Sequence, residues 1–135
     1  MAIDYSDLEM AFEFVSSGYE GEHAAYLDRL SGEIYYDSDA SEDEMPDDLF
    51  TNDKYVEIPT KKEFGLGKSL AIKFSQNQLS SDLNMVYNIF SSSRAYANFK
   101  ALLTKRGLLQ TWYTFEQAAL KKAILEWCAD NEISI

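Results

Sequence analysis

The chain has 135 residues, enough for one domain whose core would bury roughly two thirds of the surface of the unfolded chain. Its residues are 46% hydrophobic and 14% aromatic, a composition that excludes an intrinsically disordered protein. The net charge of -11 is unevenly divided, since residues 1–59 hold 17 acidic and two basic side chains, whereas residues 60–135 hold six acidic and ten basic ones. Affinity for phosphates comes from Lys and Arg, so the acidic half is not expected to bind nucleic acid.

The sequence shows no sign of export or membrane insertion. Cys128 is the one cysteine, so it has no partner for an internal disulfide, and the first residues form neither a basic nor an apolar leader. No run approaches the about 18 consecutive apolar residues of a membrane-spanning helix. We therefore expect a soluble protein of the cytoplasm.

An amphipathic helix is predicted over residues 6–17. Ser6 and Glu9 have the spacing of a capping box, in which each side chain accepts a hydrogen bond from the other residue's backbone amide. Apolar residues then recur at helical spacing, at Leu8, Ala11, Phe12 and Val15. Gly18 is typical of the end of a helix.

A β-hairpin and a third strand are predicted next. Residues 23–37 favour strands on both sides of a turn at Ser31–Gly32. The side chains expected on the inward face are Ala25, Leu27, Ile34 and Tyr36. Residues 55–58 alternate in the same way and end at Pro59, which suits an edge strand because proline has no amide hydrogen to donate.

The segment 37–53 joins the hairpin to the third strand and is rich in carboxylates. It contains eight acidic residues and no basic one, so mutual repulsion favours a solvated loop. We select seven of them as a candidate partner-binding site: Asp37, Asp39, Glu42, Asp43, Glu44, Asp47 and Asp48. The spacing also resembles a calcium loop, but Glu42 stands where such a loop needs glycine, and diffuse cation condensation is the preferred interpretation.

The remaining residues show the period of helices. A second capping box, Thr60 to Glu63, precedes apolar residues at Phe64, Leu70, Ala71 and Phe74. Three further helices are predicted to begin at Ser81, at Ser93 and near Thr111, and Gly107 is predicted to end the second of these. The residues expected to form the main helical core are Phe99, Leu103, Trp112, Phe115 and Trp127.

These elements predict an α+β fold in a single domain over residues 1–135. A small three-stranded antiparallel sheet, formed by the hairpin and the third strand, would pack against a C-terminal half of about four helices, with an N-terminal helix before it. The acidic N-terminal helix and sheet would occupy residues 1–59, and the helical half residues 60–135.

Several strings of residues resemble a known family. They are YLD at 26–28, SGEI at 31–34, YVEIP at 55–59, RAYANFK at 94–100, GLL at 107–109 and WYTF at 112–115. In this order they resemble the bacterial uncharacterised protein family 0158 of the UPF series. The resemblance implies a bacterial origin but no established activity, cofactor or catalytic residue.

No convergent set of catalytic side chains is apparent. The DSD string at 37–39 resembles a phosphotransferase motif, but that chemistry needs a parallel doubly wound sheet and a hairpin is predicted here. The GLGKS string at 65–69 lacks the first glycine of a phosphate loop. His23 is the one histidine, so one chain can assemble neither a zinc cluster nor a histidine-containing triad, and Cys128 is expected to be a buried hydrophobe. We therefore expect a protein without enzyme activity, cofactor or metal.

A candidate basic surface lies in the second half of the chain. Its residues are Arg94, Lys100, Lys105 and Arg106, and tyrosines lie nearby in the sequence. Charge combined with aromatic stacking is typical of nucleic-acid binding, but a net charge of +4 over residues 60–135 is mild. Solvated helix faces are therefore the preferred interpretation, and direct binding of nucleic acid is not expected.

Two functional hypotheses follow from the composition. The first is a non-catalytic protein-interaction or regulatory module whose acidic face binds a basic protein. The alternative is an acidic nucleic-acid mimic that inhibits a DNA- or RNA-binding protein. A mimic needs carboxylates held at phosphate-like spacing on rigid elements, whereas most acidic residues here lie in a predicted loop, so the module is preferred.

Overall fold

The structure, a computed structural model, describes residues 3–17, 23–38 and 44–135. Within these ranges the α-helices are α1 (Tyr5–Ser16), α2 (Lys68–Gln78), α3 (Leu83–Phe90), α4 (Ala95–Lys105) and α5 (Leu109–Asp130). The strands are β1 (Ala24–Asp28), β2 (Ile34–Asp37) and β3 (Tyr55–Glu57), and a short 3-10 helix, Ser80–Asp82, precedes α3. The predicted α+β class is confirmed. None of the helices in these ranges is long and apolar enough to cross a membrane.

The three strands form one antiparallel sheet in the order β2-β1-β3. β1 and β2 are the predicted hairpin, with Ala25 opposite Tyr36 and Leu27 opposite Ile34. Because directly opposed residues share a face, the four residues predicted to point inward do lie together, and Ala25 and Leu27 are fully buried. β3 pairs with the other side of β1 and is an edge strand, as predicted.

The chain divides into two compact units. Unit 1 consists of residues 1–64 and 121–135, and unit 2 consists of residues 65–120. Helix α5 contributes residues to both of them. The prediction that the whole chain folds as one domain stays a prediction.

In unit 1, helix α1 covers the inward face of the sheet. It buries the four apolar residues that the period predicts, Leu8, Ala11, Phe12 and Val15. The ring of Phe14 meets Tyr36 edge-on, with ring centroids 4.9 Å apart, which places α1 on the side of the sheet that carries Tyr36. Phe12 stacks on Phe64 at 5.4 Å and meets Trp127 edge-on at 5.5 Å. Aromatic contacts of this kind stabilise a core beyond the area that they bury.

The predicted capping boxes do not begin helices. Helix α1 is capped by Asp4 instead of Ser6, because the Asp4 carboxylate accepts a hydrogen bond from the Ser6 amide at 2.9 Å. The box at Thr60 and Glu63 does form, with amide-to-side-chain distances of 3.2 and 3.3 Å, but it closes only a turn. Gly65 then takes a positive φ of 70°, which ends any helix, and α2 begins at Lys68.

Two further predicted caps are also wrong. Ser81 lies inside the 3-10 helix, and the residue before α3 is Asp82, whose side chain makes no capping hydrogen bond. It binds Arg106 instead, through two hydrogen bonds of 2.8 and 2.9 Å. The residue before α4 is Arg94 and not Ser93. The end of α4 is as predicted, since Gly107 follows it with a φ of 71°.

Unit 2 has a core centred on Trp112, whose side chain is 1% exposed. Its ring meets Phe74 and Phe99 edge-on, each at 5.3 Å between centroids. The other buried members are Leu70, Ala71, Leu79, Val86, Leu102 and Leu103. Phe115 packs against this core as predicted, whereas Trp127 belongs to unit 1 because α5 extends from one unit into the other.

Replacing Trp112 by Ala should lower the free energy of unfolding by about 3–5 kcal/mol, because it removes a large buried ring from a packed aromatic cluster. Chemical denaturation followed by circular dichroism measures this change. The matched control is Tyr87→Ala on α3, where the side chain is 45% exposed and the change should stay within about 0.5 kcal/mol. Equal losses in the two variants would contradict the assignment of Trp112 to the centre of the core.

Candidate protein-interaction surface

The acidic residues are concentrated in unit 1. The sequence of this unit holds 21 acidic and six basic side chains, a net charge of -15. Unit 2 holds two acidic and six basic side chains, a net charge of +4. The charge imbalance of the sequence therefore coincides with the division of the chain into units.

The structure describes four of the seven acidic residues that the sequence analysis selected. Asp37 ends β2 and is exposed, Glu44 and Asp47 are exposed in the segment before β3, and Asp48 is half-buried. The other three, Asp39, Glu42 and Asp43, lie outside the described residues.

Asp48 belongs to a hydrogen-bonded turn. Its carboxylate accepts a hydrogen bond from the Asn52 side-chain amide at 3.0 Å, and its carbonyl accepts from the amides of Thr51 and Asn52 at 3.1 and 3.0 Å. The bond from Asn52 is the main reason why the pKa of Asp48 lies below its ordinary value. Leu49 is buried beside it. This part of the predicted solvated loop is therefore ordered by local hydrogen bonds and by one apolar anchor.

The two basic side chains of residues 1–59 bind inside unit 1. Arg29 donates hydrogen bonds to the carbonyl oxygens of Asp53 and Asn131, the latter at 3.2 Å. The Lys54 ammonium lies 3.5 Å from the Asp28 carboxylate and 5.0 Å from the centroid of the Tyr55 ring. Within the described part of the chain, neither side chain forms an ion pair with the four candidate acidic residues. Asp37, Glu44 and Asp47 are exposed to solvent, whereas Asp48 is held in its turn by Asn52.

Asp28 is a buried carboxylate that the sequence analysis did not select. It ends β1 and is 5% exposed. One carboxylate oxygen accepts hydrogen bonds from the amides of Leu30 and Ser31, at 2.9 and 3.2 Å, and the other faces Lys54. Burial raises the pKa of Asp28, but the hydrogen bonds and the charge of Lys54 outweigh burial and hold it below its ordinary value. Asp28 is therefore ionised at neutral pH.

The face of the sheet opposite to α1 carries three tyrosines. Tyr26 on β1 lies opposite Tyr35 on β2 and opposite Glu57 on β3, and Tyr55 lies opposite Asp28. The rings of Tyr35 and Tyr55 are 6.1 Å apart.

Phe50 extends this aromatic group from the turn before β3. It is 84% exposed, and its ring meets Tyr26 edge-on at 5.9 Å between centroids. The two-residue period of the strands could have predicted that Tyr26 and Tyr35 share the outward face, because both alternate with the inward residues of their strands.

Carboxylates surround these rings. Burial, followed by the negative charges of Glu57 and Asp37, raises the pKa of Tyr26. The Tyr35 hydroxyl donates a hydrogen bond to Glu33 at 2.9 Å, which raises the pKa of Tyr35. We call this surface the outer face, formed by Tyr26, Tyr35, Phe50 and Tyr55 with Glu33, Asp37 and Glu57. It combines aromatic rings with negative charge, which is the chemistry that binds cations.

The four candidate basic residues all lie in unit 2. Arg94 precedes α4 with a left-handed φ of 58°, and Lys100 and Lys105 are exposed on α4. Lys100 lies 5.8 Å from the centroid of the Tyr113 ring. Arg106 is neutralised by its paired hydrogen bonds to Asp82, so it is not an open cation.

No metal-binding arrangement of three or more His, Cys, Asp or Glu side chains occurs within residues 3–17, 23–38 and 44–135. Cys128 is buried, as predicted, and burial raises its pKa to about 11. The thiol is therefore protonated at neutral pH.

These features define an α+β protein with an acidic sheet-containing unit, an aromatic outer face on that sheet and a mildly basic helical unit. The chain belongs to the uncharacterised protein family UPF0158, which it matches over residues 1–135, the whole chain. This confirms the resemblance seen in the sequence. No curated protein and no solved structure matches the chain significantly.

Replacing Asp28 by Asn should lower the free energy of unfolding near neutral pH by about 1–3 kcal/mol, because it removes a hydrogen-bonded charge and the ion pair with Lys54. The folded-state pKa is lowered, so this stabilisation is present above the unfolded pKa of about 3.9 and is lost as the pH falls through the folded value. Denaturation of both proteins near neutral pH and in strong acid measures the difference, which should shrink in acid.

The control is Glu126→Gln on α5, which makes the same change of charge at an exposed side chain. It should alter stability by at most about 0.5 kcal/mol. A loss for Asp28→Asn that does not depend on pH would contradict a role for the ionised carboxylate.

Proposed function

We propose that the protein is a cytoplasmic, non-catalytic interaction module that binds a basic protein partner through unit 1. The observation that carries this proposal is the division of charge, -15 in unit 1 against +4 in unit 2. A concentrated negative field speeds encounter with a cationic surface and orients it before contact.

The placement of the acidic side chains supports the proposal. Asp37, Glu44 and Asp47 are exposed, whereas Arg29 and Lys54 are held by backbone carbonyls, by Asp28 and by Tyr55. These two basic side chains thus make contacts within unit 1, whereas these three carboxylates are exposed. Such an arrangement leaves the charge of the carboxylates available to a partner.

The alternative is an acidic mimic of nucleic acid. A mimic requires regularly spaced carboxylates on rigid elements, but the four candidates with described positions come from a strand end, an irregular segment and a turn. Asp48 also binds Asn52 within that turn. These observations favour the module over the mimic.

Neutralising exposed acidic residues should weaken capture of the partner. The test variant is Glu44→Gln with Asp47→Asn, which spares Asp48 because its turn is structural. The control is Asp130→Asn with Glu132→Gln, which makes an equal change of charge. Both residues are exposed, Asp130 at the end of α5 and Glu132 after it. Pull-downs from native cytosol at low and moderate salt, quantified by mass spectrometry, should show basic proteins that bind the parent and the control but are reduced in the test variant.

With the captured partner purified, the association rate should fall more than the dissociation rate rises, because charges outside the contact centre act mainly on encounter. Added salt should produce the same effect in the parent protein. Equal capture by the test variant and the parent at all salt concentrations would contradict the proposed role of these carboxylates.

Free duplex DNA and single-stranded RNA should not bind measurably at physiological salt, because the field of unit 1 repels phosphates. A mobility-shift titration of the full chain checks this. Micromolar or tighter binding would contradict the proposal and would direct attention to Arg94, Lys100 and Lys105.

A further inference from the structure

We propose that the outer face is the surface on which the basic partner docks, and that it binds arginine side chains by stacking them on aromatic rings between carboxylates. The inference rests on the proposed function, because it names the surface and the side-chain chemistry through which the same partner is recognised. The partner would then contact the sheet as well as the acidic segment before β3.

The geometry of the outer face fits a planar cation. Tyr26 lies at its centre, on the middle strand, with Tyr35 on one side and Glu57 on the other. Phe50 stands beside Tyr26, its ring edge-on at 5.9 Å, and 84% of it is exposed. An exposed phenylalanine next to half-buried tyrosines makes a local apolar patch, which is characteristic of binding surfaces.

Helix α1 does not cover this surface. It packs on the opposite face of the sheet, where Phe14 meets Tyr36. On the outer face, the aromatic contacts within the described residues are those of Phe50 with Tyr26 and of Tyr35 with Tyr55. Lys54 lies over the Tyr55 ring, and the three tyrosines are half-buried, whereas Phe50 is 84% exposed. A side chain of a partner can therefore approach the face at Phe50 and its neighbour Tyr26.

Charge selects a cationic occupant. Glu33, Asp37 and Glu57 are all exposed around the tyrosines, and unit 1 as a whole carries -15. These carboxylates repel phosphates and acidic peptides, whereas a cation gains from both the rings and the carboxylates. Arginine fits better than lysine, because its planar guanidinium stacks on a ring and still donates paired hydrogen bonds in its own plane.

Lys54, in the turn before β3, already shows this chemistry. Its ammonium lies 5.0 Å from the centroid of the Tyr55 ring and 3.5 Å from the Asp28 carboxylate. One cation is thus held jointly by an aromatic ring and a carboxylate. The proposed site repeats this pairing with Tyr26 and Phe50 as rings and with Asp37 and Glu57 as carboxylates.

The experiment uses the full chain, isotopically labelled, and a synthetic nine-residue peptide of alternating arginine and glycine. Titration followed by NMR should shift the resonances of Tyr26, Phe50 and Glu57, with an affinity that falls as salt is added. The same peptide with citrulline in place of arginine keeps the shape without the charge and should not bind. A lysine-glycine peptide should bind several-fold more weakly.

The test variants are Phe50→Ala and Glu57→Gln, both at exposed positions where loss of the fold is not expected. Each should weaken binding of the arginine peptide by about threefold or more, from the loss of one cation–π contact or one charge-assisted hydrogen bond. Tyr87→Ala is the matched control, because it removes an exposed aromatic ring from unit 2 and should leave the affinity unchanged.

The outcomes separate this inference from the proposed function. Salt-dependent binding of the arginine peptide with unchanged affinity in Phe50→Ala and Glu57→Gln would overturn the outer face as the docking site and leave the acidic module intact. Failure of the parent to bind the peptide even at low salt would also overturn the docking site, while the pull-down with the Glu44 and Asp47 variant decides the proposed function independently. Equal binding of the citrulline peptide would overturn recognition of a cation.

Discussion

A carboxylate buried at the end of the central strand is the constraint on which unit 1 depends. The Asp28 carboxylate accepts hydrogen bonds from the amides of Leu30 and Ser31 in the hairpin turn. It also forms an ion pair with Lys54, the residue before β3. Since the strands are only three to five residues long, few ladder hydrogen bonds hold them together. A charge buried at such a junction is tolerated only when all its partners are in place, so it favours one register of the sheet.

Two other basic side chains of unit 1 also link elements of the fold. The Lys61 ammonium pairs with the Glu13 carboxylate at 2.6 Å, and the Lys61 backbone amide donates a hydrogen bond to the Ser16 hydroxyl. Lys61 therefore joins the turn after β3 to α1. Lys121 on α5 lies 5.7 Å from the centroid of the Tyr5 ring on α1. These two cations therefore connect different elements of unit 1. Contacts of basic side chains thus help to hold this highly charged unit together.

Periodicity predicted the helices, the hairpin and the inward face of the sheet, because these features depend on residues that are close in sequence. The capping-box pattern did not locate the helix starts. Asp4, and not Ser6, caps α1, and the box formed by Thr60 and Glu63 closes only a turn. On α5, Leu120 and Ile124 are buried although the sequence analysis did not select them for the core, whereas Phe115 and Trp127, which it did select, are half-buried.

Two features of the site needed the three-dimensional structure. The partner of Asp28 is Lys54, and the pair becomes visible only once β3 is known to lie against β1. The outer face also depends on contacts across strands and on the turn that carries Phe50. By contrast, the concentration of acidic residues is a property of composition, and the sequence alone predicted it.

The two tryptophans of the chain fall in different units, Trp112 in unit 2 and Trp127 in unit 1. Trp112 is buried among phenylalanine rings, and its indole nitrogen has no hydrogen-bond partner within the described structure, whereas Trp127 is half-buried against Phe12. An indole in a dry aromatic surrounding emits at shorter wavelength than one near water. The unlabelled protein therefore carries one tryptophan in each unit, and a single Trp-to-Phe exchange turns the emission excited at the red edge of the indole absorption, where tyrosine does not absorb, into a report on one unit alone.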